Sequence, residues 1–143
     1  MSDKAFVDTN VLVYAHDPST GAKHTRARAL LEQLWASGHG ILSTQVLQEL
    51  CVTLQRNAKP PLPVAELRRL IQDYLAWEVV VNGAESAVEA LELQARYKIS
   101  FWDALILQAA ETAGATVLYS EDLASGQKYG AVRVINPFVR QPG

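Results

Sequence analysis

With 143 residues, 49% of them hydrophobic and 20% charged, the chain has the balance of a single folded domain over residues 1–143 and excludes an intrinsically disordered protein. The 13 Lys and Arg against 15 Asp and Glu leave a net charge of −2, which excludes a protein that grips nucleic acid chiefly by a basic surface. A nuclease whose carboxylates carry cations stays open. No run nears the roughly 18 apolar residues of a membrane span, Met1-Ser2-Asp3-Lys4 shows no signal-peptide pattern, and Cys51 is the single cysteine, so a cytoplasmic location without a membrane is expected.

The run from Ala5 to Ala15 is almost wholly apolar and is interrupted by Asp8-Thr9-Asn10. Phe6-Val7 reads as a strand buried on both faces that stops at Asp8, and His16 to Gly21 reads as the loop after it. Lys23 to Ser37 carries Ala27, Leu30, Leu31, Leu34 and Trp35 at helical spacing, and Gly38 closes that helix. Gly40-Ile41-Leu42 is a second strand. Ser43 or Thr44 then caps a helix with the stripe Leu47, Leu50, Cys51 and Leu54, and Glu49 sits on the shoulder of that stripe.

Lys59-Pro60-Pro61-Leu62-Pro63 is a stiff connector, with Pro63 suited to the first turn of a helix from Val64 to about Leu75 that buries Leu67, Leu70, Ile71 and Tyr74. Trp77 to Val81 is a strand candidate. Ala84 to Lys98 is helical with Val88, Leu91 and Ala95 on one side. Ser100 opens a helix apolar nearly all round, Gly114 ends it, and Thr116 to Tyr119 is a strand stopped by Ser120-Glu121-Asp122. Val132 to Ile135 is the last strand, ended by Asn136-Pro137. Strands alternating with helices imply an α/β fold, with a central, mostly parallel sheet and helices on both faces.

Four acids stand at comparable places: Asp8, Glu49, Asp103 and Asp122. Singly, each has an ordinary explanation as a turn residue, a helix-surface charge or a cap. Gathered in one crevice they would repel by about 4 kcal/mol for a pair 4 Å apart, so a fold that collects them needs a cation between them. Oxygen ligands without His or Cys select Mg²⁺ or Mn²⁺, and two such ions can activate water against a phosphodiester. Neither zinc-ligand spacing among His16, His24 and His39 nor a phosphate-cradling glycine loop is present.

The segments F-V-D-T-N-V-L-V-Y-A from Phe6, L-S-T-Q-V-L-Q-E-L from Leu42, S-F-W-D-A-L-I-L-Q-A-A from Ser100, L-Y-S-E-D-L from Leu118 and V-R-V-I-N-P-F from Val132 together resemble the PIN-domain ribonucleases. Within that family the chain is similar to the VapC-like toxins of bacterial toxin-antitoxin pairs. The resemblance implies a Rossmann-like sheet, and Asp8, Glu49, Asp103 and Asp122 as catalytic, metal-binding acids with Asn10 and Ser120 as polar neighbours. It further implies one or two Mg²⁺ or Mn²⁺ ions, cleavage of RNA, a homodimer, and inhibition by an antitoxin whose C-terminal part enters the groove.

Lys23, His24, Arg26 and Arg28 open the first long helix and are candidate phosphate contacts or an ordinary solvated face, and Arg56 and Lys59 have similar standing. Trp35, Trp77 and Trp102 are candidate base-stacking residues, but each falls in an apolar pattern and is expected to pack in the core. His16 is expected to be a loop residue. Two other functions fit less well: a silent PIN-fold module that binds RNA or protein without cutting, and a phosphotransfer domain using Asp8 as nucleophile. The second wants an acid where Asn10 stands.

Overall fold

The computed structural model describes residues 3–139. Its frame is a six-stranded sheet in the order β3-β2-β1-β4-β6-β5, formed by β1 (Ala5–Val7), β2 (Gly40–Ser43), β3 (Glu78–Val80), β4 (Val117–Tyr119), β5 (Lys128–Tyr129) and β6 (Val132–Ile135). All neighbours run parallel except β5, which pairs antiparallel with β6 through a turn at Gly130. Both edge strands are short, which limits pairing with other chains. Consecutive residues Phe6 and Val7 in β1, and Ile41 and Leu42 in β2, are buried, so the middle of the sheet is covered on both faces as the sequence implies.

Chain order reverses at β1. The connection to β2 runs one way across the sheet, and β3 returns over it to β4 on the other side of β1. Right-handed crossovers then place their helices on opposite faces and leave a crevice at the carboxyl ends of β1 and β4. The helices are α1 (Thr9–His16), α2 (Ala22–Ser37), α3 (Thr44–Arg56), α4 (Val64–Tyr74), α5 (Ala84–Tyr97) and α6 (Phe101–Thr112). Ser43 caps α3 and Ser100 caps α6 through side-chain oxygens, as serines before apolar helices commonly do.

Several expectations are corrected. Residues 9–15, to which the sequence assigns no element, and His16, expected in a loop, form helix α1, because Asp8 caps it and Val11, Leu12 and Ala15 share one buried face. Asp17 then caps a single 3₁₀ turn over Pro18–Thr20 inside the expected loop. In α5 the side carrying Val88, Leu91 and Ala95 faces solvent, while Ala90 and Leu93 are buried against the core. Pro63 precedes α4 as its N-cap instead of occupying its first turn, and Leu70 and Ile71 are half-buried. The two-residue strand β5 carries too little pattern to be read. Cys51 is half-buried against the core.

Gly40 shows how tightly one edge is packed. A Cβ at this position would lie inside the Trp77 ring, so the glycine is what lets the indole lie on β2. Trp77 in turn meets Tyr74 and Trp35 at ring separations of 5.3 Å.

Candidate active site

Asp8 leaves β1 in extended backbone conformation and turns the chain into α1, with one carboxylate oxygen accepting the Thr9 N–H at 2.7 Å. Its other oxygen accepts the Ser120 hydroxyl at 2.8 Å. Ser120 follows β4, is wholly buried, and also accepts the Asp122 N–H at 3.1 Å. One hydroxyl thus ties the end of β1 to the turn that carries Asp122. Asn10 completes the link, its amide donating to Asp122 Oδ2 at 3.0 Å. The Asn10 carbonyl oxygen is buried without a partner among the described residues.

Asp103 arrives from the other side of the crevice, in the first turn of α6, where Ser100 accepts its N–H at 3.1 Å. One carboxylate oxygen from each of Asp8, Asp103 and Asp122 lies within 4.8 Å of the other two. Glu49 is outside this triad. It lines the same cavity of about 730 Å³ and is held by Thr9, whose hydroxyl donates to Glu49 Oε1 at 2.7 Å. The sequence reading passed over Thr9, although it stands between Asp8 and Asn10 and its hydroxyl was the available signal.

The electrostatics follow from crowding. Burial pushes the Asp8 carboxyl up to about 7, with the charges of Asp122 and Glu49 adding to it and the hydrogen bonds from Ser120 and Thr9 opposing it. Asp122 is raised by its own partial burial first, then by Asp103, Glu121 and Glu49. Without a positive charge beside them, Asp8 and Asp122 resist ionisation. Glu121, beside Asp122, is neutralised locally: it accepts the Tyr14 hydroxyl and pairs with the Lys23 ammonium at 2.9 Å.

The basic residues do not form one patch. Lys23 lies at the rim through Glu121, Arg26 donates to the Pro137 carbonyl at 2.9 Å, and Arg28 sits near Glu32 and His16. Arg56 and Lys59 are exposed and do not line the cavity. His16 is no loop residue: it ends α1, its Nε2 lies 2.6 Å from the Tyr74 hydroxyl, and burial lowers its pKa to about 4.

Of the tryptophans only Trp77 packs as expected. Trp35 is 42% exposed over Tyr74 and Trp77, and Trp102 is 62% exposed. Trp102 belongs to the first turn of α6, which emerges from the core at the crevice, so the apolar run around it does not imply burial there.

The donor set fits a hard divalent cation. It is all oxygen, at least three carboxylates converge, and burial raises the pKa of one of them to about 7. Asp8, Asp103 and Asp122 are the residues able to hold it, with Glu49 at the edge of the same cavity.

The PIN domain family model matches residues 5–126. No curated protein sequence matches the chain. Among solved structures, VapC20 of Mycobacterium tuberculosis, described as a sarcin-ricin loop cleaving toxin, is 25% identical with a TM-score of 0.64, over 83% of this chain and 90% of that one. A toxin-antitoxin complex from Klebsiella pneumoniae is 20% identical with a TM-score of 0.67, over 94% and 98%. DNA-bound VapBC from Salmonella typhimurium is 18% identical with a TM-score of 0.60, over 93% and 97%. The last two show a shared fold.

Proposed function

Because the chain belongs to the PIN domain family, we propose that it is a Mg²⁺- or Mn²⁺-dependent endoribonuclease, the toxin of a toxin-antitoxin pair, built as one PIN domain over residues 1–143. The observation that carries this reading is the convergence of Asp8, Asp103 and Asp122 within 4.8 Å at the crevice between β1 and β4. The likeness to VapC20, a cleaving toxin, supports it.

When bound, one or two such ions, held by Asp8, Asp103 and Asp122, would supply Lewis acidity toward the phosphodiester and lower the pKa of water toward neutral. The chain's own residues set the geometry. Asp8 is fixed through both oxygens, by Thr9 N–H and Ser120, so its lone pairs are aimed before any ligand arrives. Asn10 fixes Asp122 in the same way. Thr9 satisfies one oxygen of Glu49 and leaves the second as an acceptor. Lys23, a candidate contact for a phosphate of the bound strand, is paired with Glu121 beside Asp122 and offsets that acid's charge.

The partners follow the same reading: an RNA substrate, an antitoxin entering the groove, and a homodimer, for which the exposed Val88 and Leu91 on α5 offer an apolar face. No helix among the described residues is long and apolar enough to cross a membrane, and the proposed location is the cytoplasm. The test is incubation of total RNA and transfer RNA with purified protein plus Mg²⁺ or Mn²⁺, beside an EDTA control and Asp103→Asn. Discrete fragments that need the cation and vanish with the variant are expected. A variant that cleaves at the wild-type rate would overturn the reading.

A further inference from the structure

Trp102 immediately precedes Asp103, is 62% exposed, and lines the cavity that holds the acids. A tryptophan normally buries its large apolar face. Here its aromatic contact among the described residues is a T-shaped one with Phe101, at 5.3 Å between ring centroids.

The wall around it arises from a repeated spacing. On α1, α3 and α6 alike, an apolar residue lies three places after a site residue: Val13 after Asn10, Val52 after Glu49, and Ile106 after Asp103. Three residues advance a helix by about 4.5 Å and return close to the same face. The cavity therefore has a carboxylate end and, one turn further along each helix, an apolar wall whose most open member is Val52, while Trp102 stands directly beside Asp103 on the other side of it.

The two ends suit two parts of one nucleotide. Carboxylates carrying cations attract a phosphate, whereas the exposed indole beside them, backed by the apolar wall, suits the flat, uncharged base on the same nucleotide. An indole face stacks any base that is not paired, and paired bases do not offer theirs. We propose that Trp102 is a substrate-positioning residue on which an unpaired nucleobase next to the scissile phosphate stacks. This rests on the ribonuclease reading above.

The test uses the full chain as wild type, Trp102→Ala and Trp102→Phe. Binding of labelled single-stranded oligo(A) and oligo(U) RNA is followed by fluorescence anisotropy, with Ca²⁺ in place of Mg²⁺ to preserve the strand. Cleavage of the same RNAs with Mg²⁺ gives kcat and KM. Trp102→Ala is expected to weaken binding and raise KM roughly five- to hundredfold, the range of a lost base–aromatic stack, with much less change in kcat. Trp102→Phe restores most of the loss. An abasic strand of the same length is expected to bind wild type and Trp102→Ala alike, which a merely structural role for the indole would not produce.

Equal affinity and KM for wild type and Trp102→Ala, in a protein that cleaves RNA, would overturn the proposal and leave the ribonuclease standing. A fall in kcat alone would also overturn it, placing Trp102 as a support for Asp103. If RNA handling is unchanged while a protein partner binds the variant less tightly, the wall belongs to that partner and the proposal falls. Wild type that neither binds nor cleaves RNA would overturn both readings.

Discussion

The Ser120 hydroxyl donates to Asp8 Oδ2 at 2.8 Å, joining the ends of two adjacent parallel strands through a fully buried contact. The same oxygen accepts the Asp122 N–H, so Ser120 sets the spacing between two of the converging acids. Ser120→Ala is expected to leave the fold intact and to reduce cation affinity and cleavage about 10- to 100-fold, as loss of a hydrogen bond behind a ligand commonly does. Mn²⁺ titration and cleavage rates check this. Unchanged values for both would show that Asp8 needs no such support.

Crowded acids make the site a source of instability when no cation is present. In the presence of EDTA at neutral pH, Asp103→Asn and Asp122→Asn are expected to raise Tm by a few degrees, since each removes a negative charge beside Asp8 or Asp122. Adding Mn²⁺ is expected to raise the wild-type Tm and leave Asp103→Asn nearly unmoved. Thermal melts with and without Mn²⁺ measure both effects, and equal shifts in the two proteins would count against the assignment.

Thr9 is expected to act through Glu49. Thr9→Val keeps the shape and removes the 2.7 Å hydrogen bond, and cleavage should fall by about tenfold while the melting curve changes little. In a Glu49→Ala background, where no acceptor is left for Thr9, the same substitution should add almost nothing. Additive losses would show that the two residues work separately.

His16 carries the clearest acid sensitivity outside the site. Its folded-state pKa of about 4 lies below the ordinary 6.5, chiefly through burial, so the unfolded chain binds more protons between those values. Its contribution is present above about pH 6.5 and is lost as pH falls toward 4, by up to about 3 kcal/mol. Urea unfolding of wild type and His16→Gln across that window isolates it, because Asp8 titrates in both. The stability difference is expected to shift by that amount in favour of His16→Gln as the pH is lowered, and a constant difference would refute it.

Much of the fold is legible because strands buried on both faces leave an unmistakable apolar run, and the elements at β2, α3, α6, β4 and β6 lie where that pattern places them. Helix α1 was hidden by its own composition. Val11-Leu12-Val13 belongs to the apolar run after Asp8 with no spacing of its own to mark a helix, and an eight-residue helix offers barely two turns of periodicity. The four acids and the resemblance they carry are visible in sequence. The bridge from Ser120 to both Asp8 and Asp122, the hold of Thr9 on Glu49, and the exposure of Trp102 are not, because each depends on elements more than 35 residues apart or on where a helix leaves the core. Val88 and Leu91 show the same limit: spacing marks a shared side of a helix, but it does not say which side is buried.

Packing away from the crevice gives a control. Gly40→Ala drives a methyl group into the Trp77 ring and is expected to cost about 1–3 kcal/mol in urea unfolding. Gly40 starts β2, at the end of the sheet opposite the acids, so cleavage per folded molecule should be unchanged. A stability loss below about 0.5 kcal/mol would mean that the indole moves aside freely.

The most direct measurement is calorimetric titration of Mn²⁺ into metal-free wild type and Asp103→Asn at neutral pH. The expected result is saturable binding of one or two ions to wild type, with proton release as Asp8 gives up its proton, and a loss of at least tenfold in affinity for the variant. Equal affinity in the two proteins, or no saturable binding to wild type, would contradict the claim that these carboxylates are gathered to hold a cation for RNA hydrolysis.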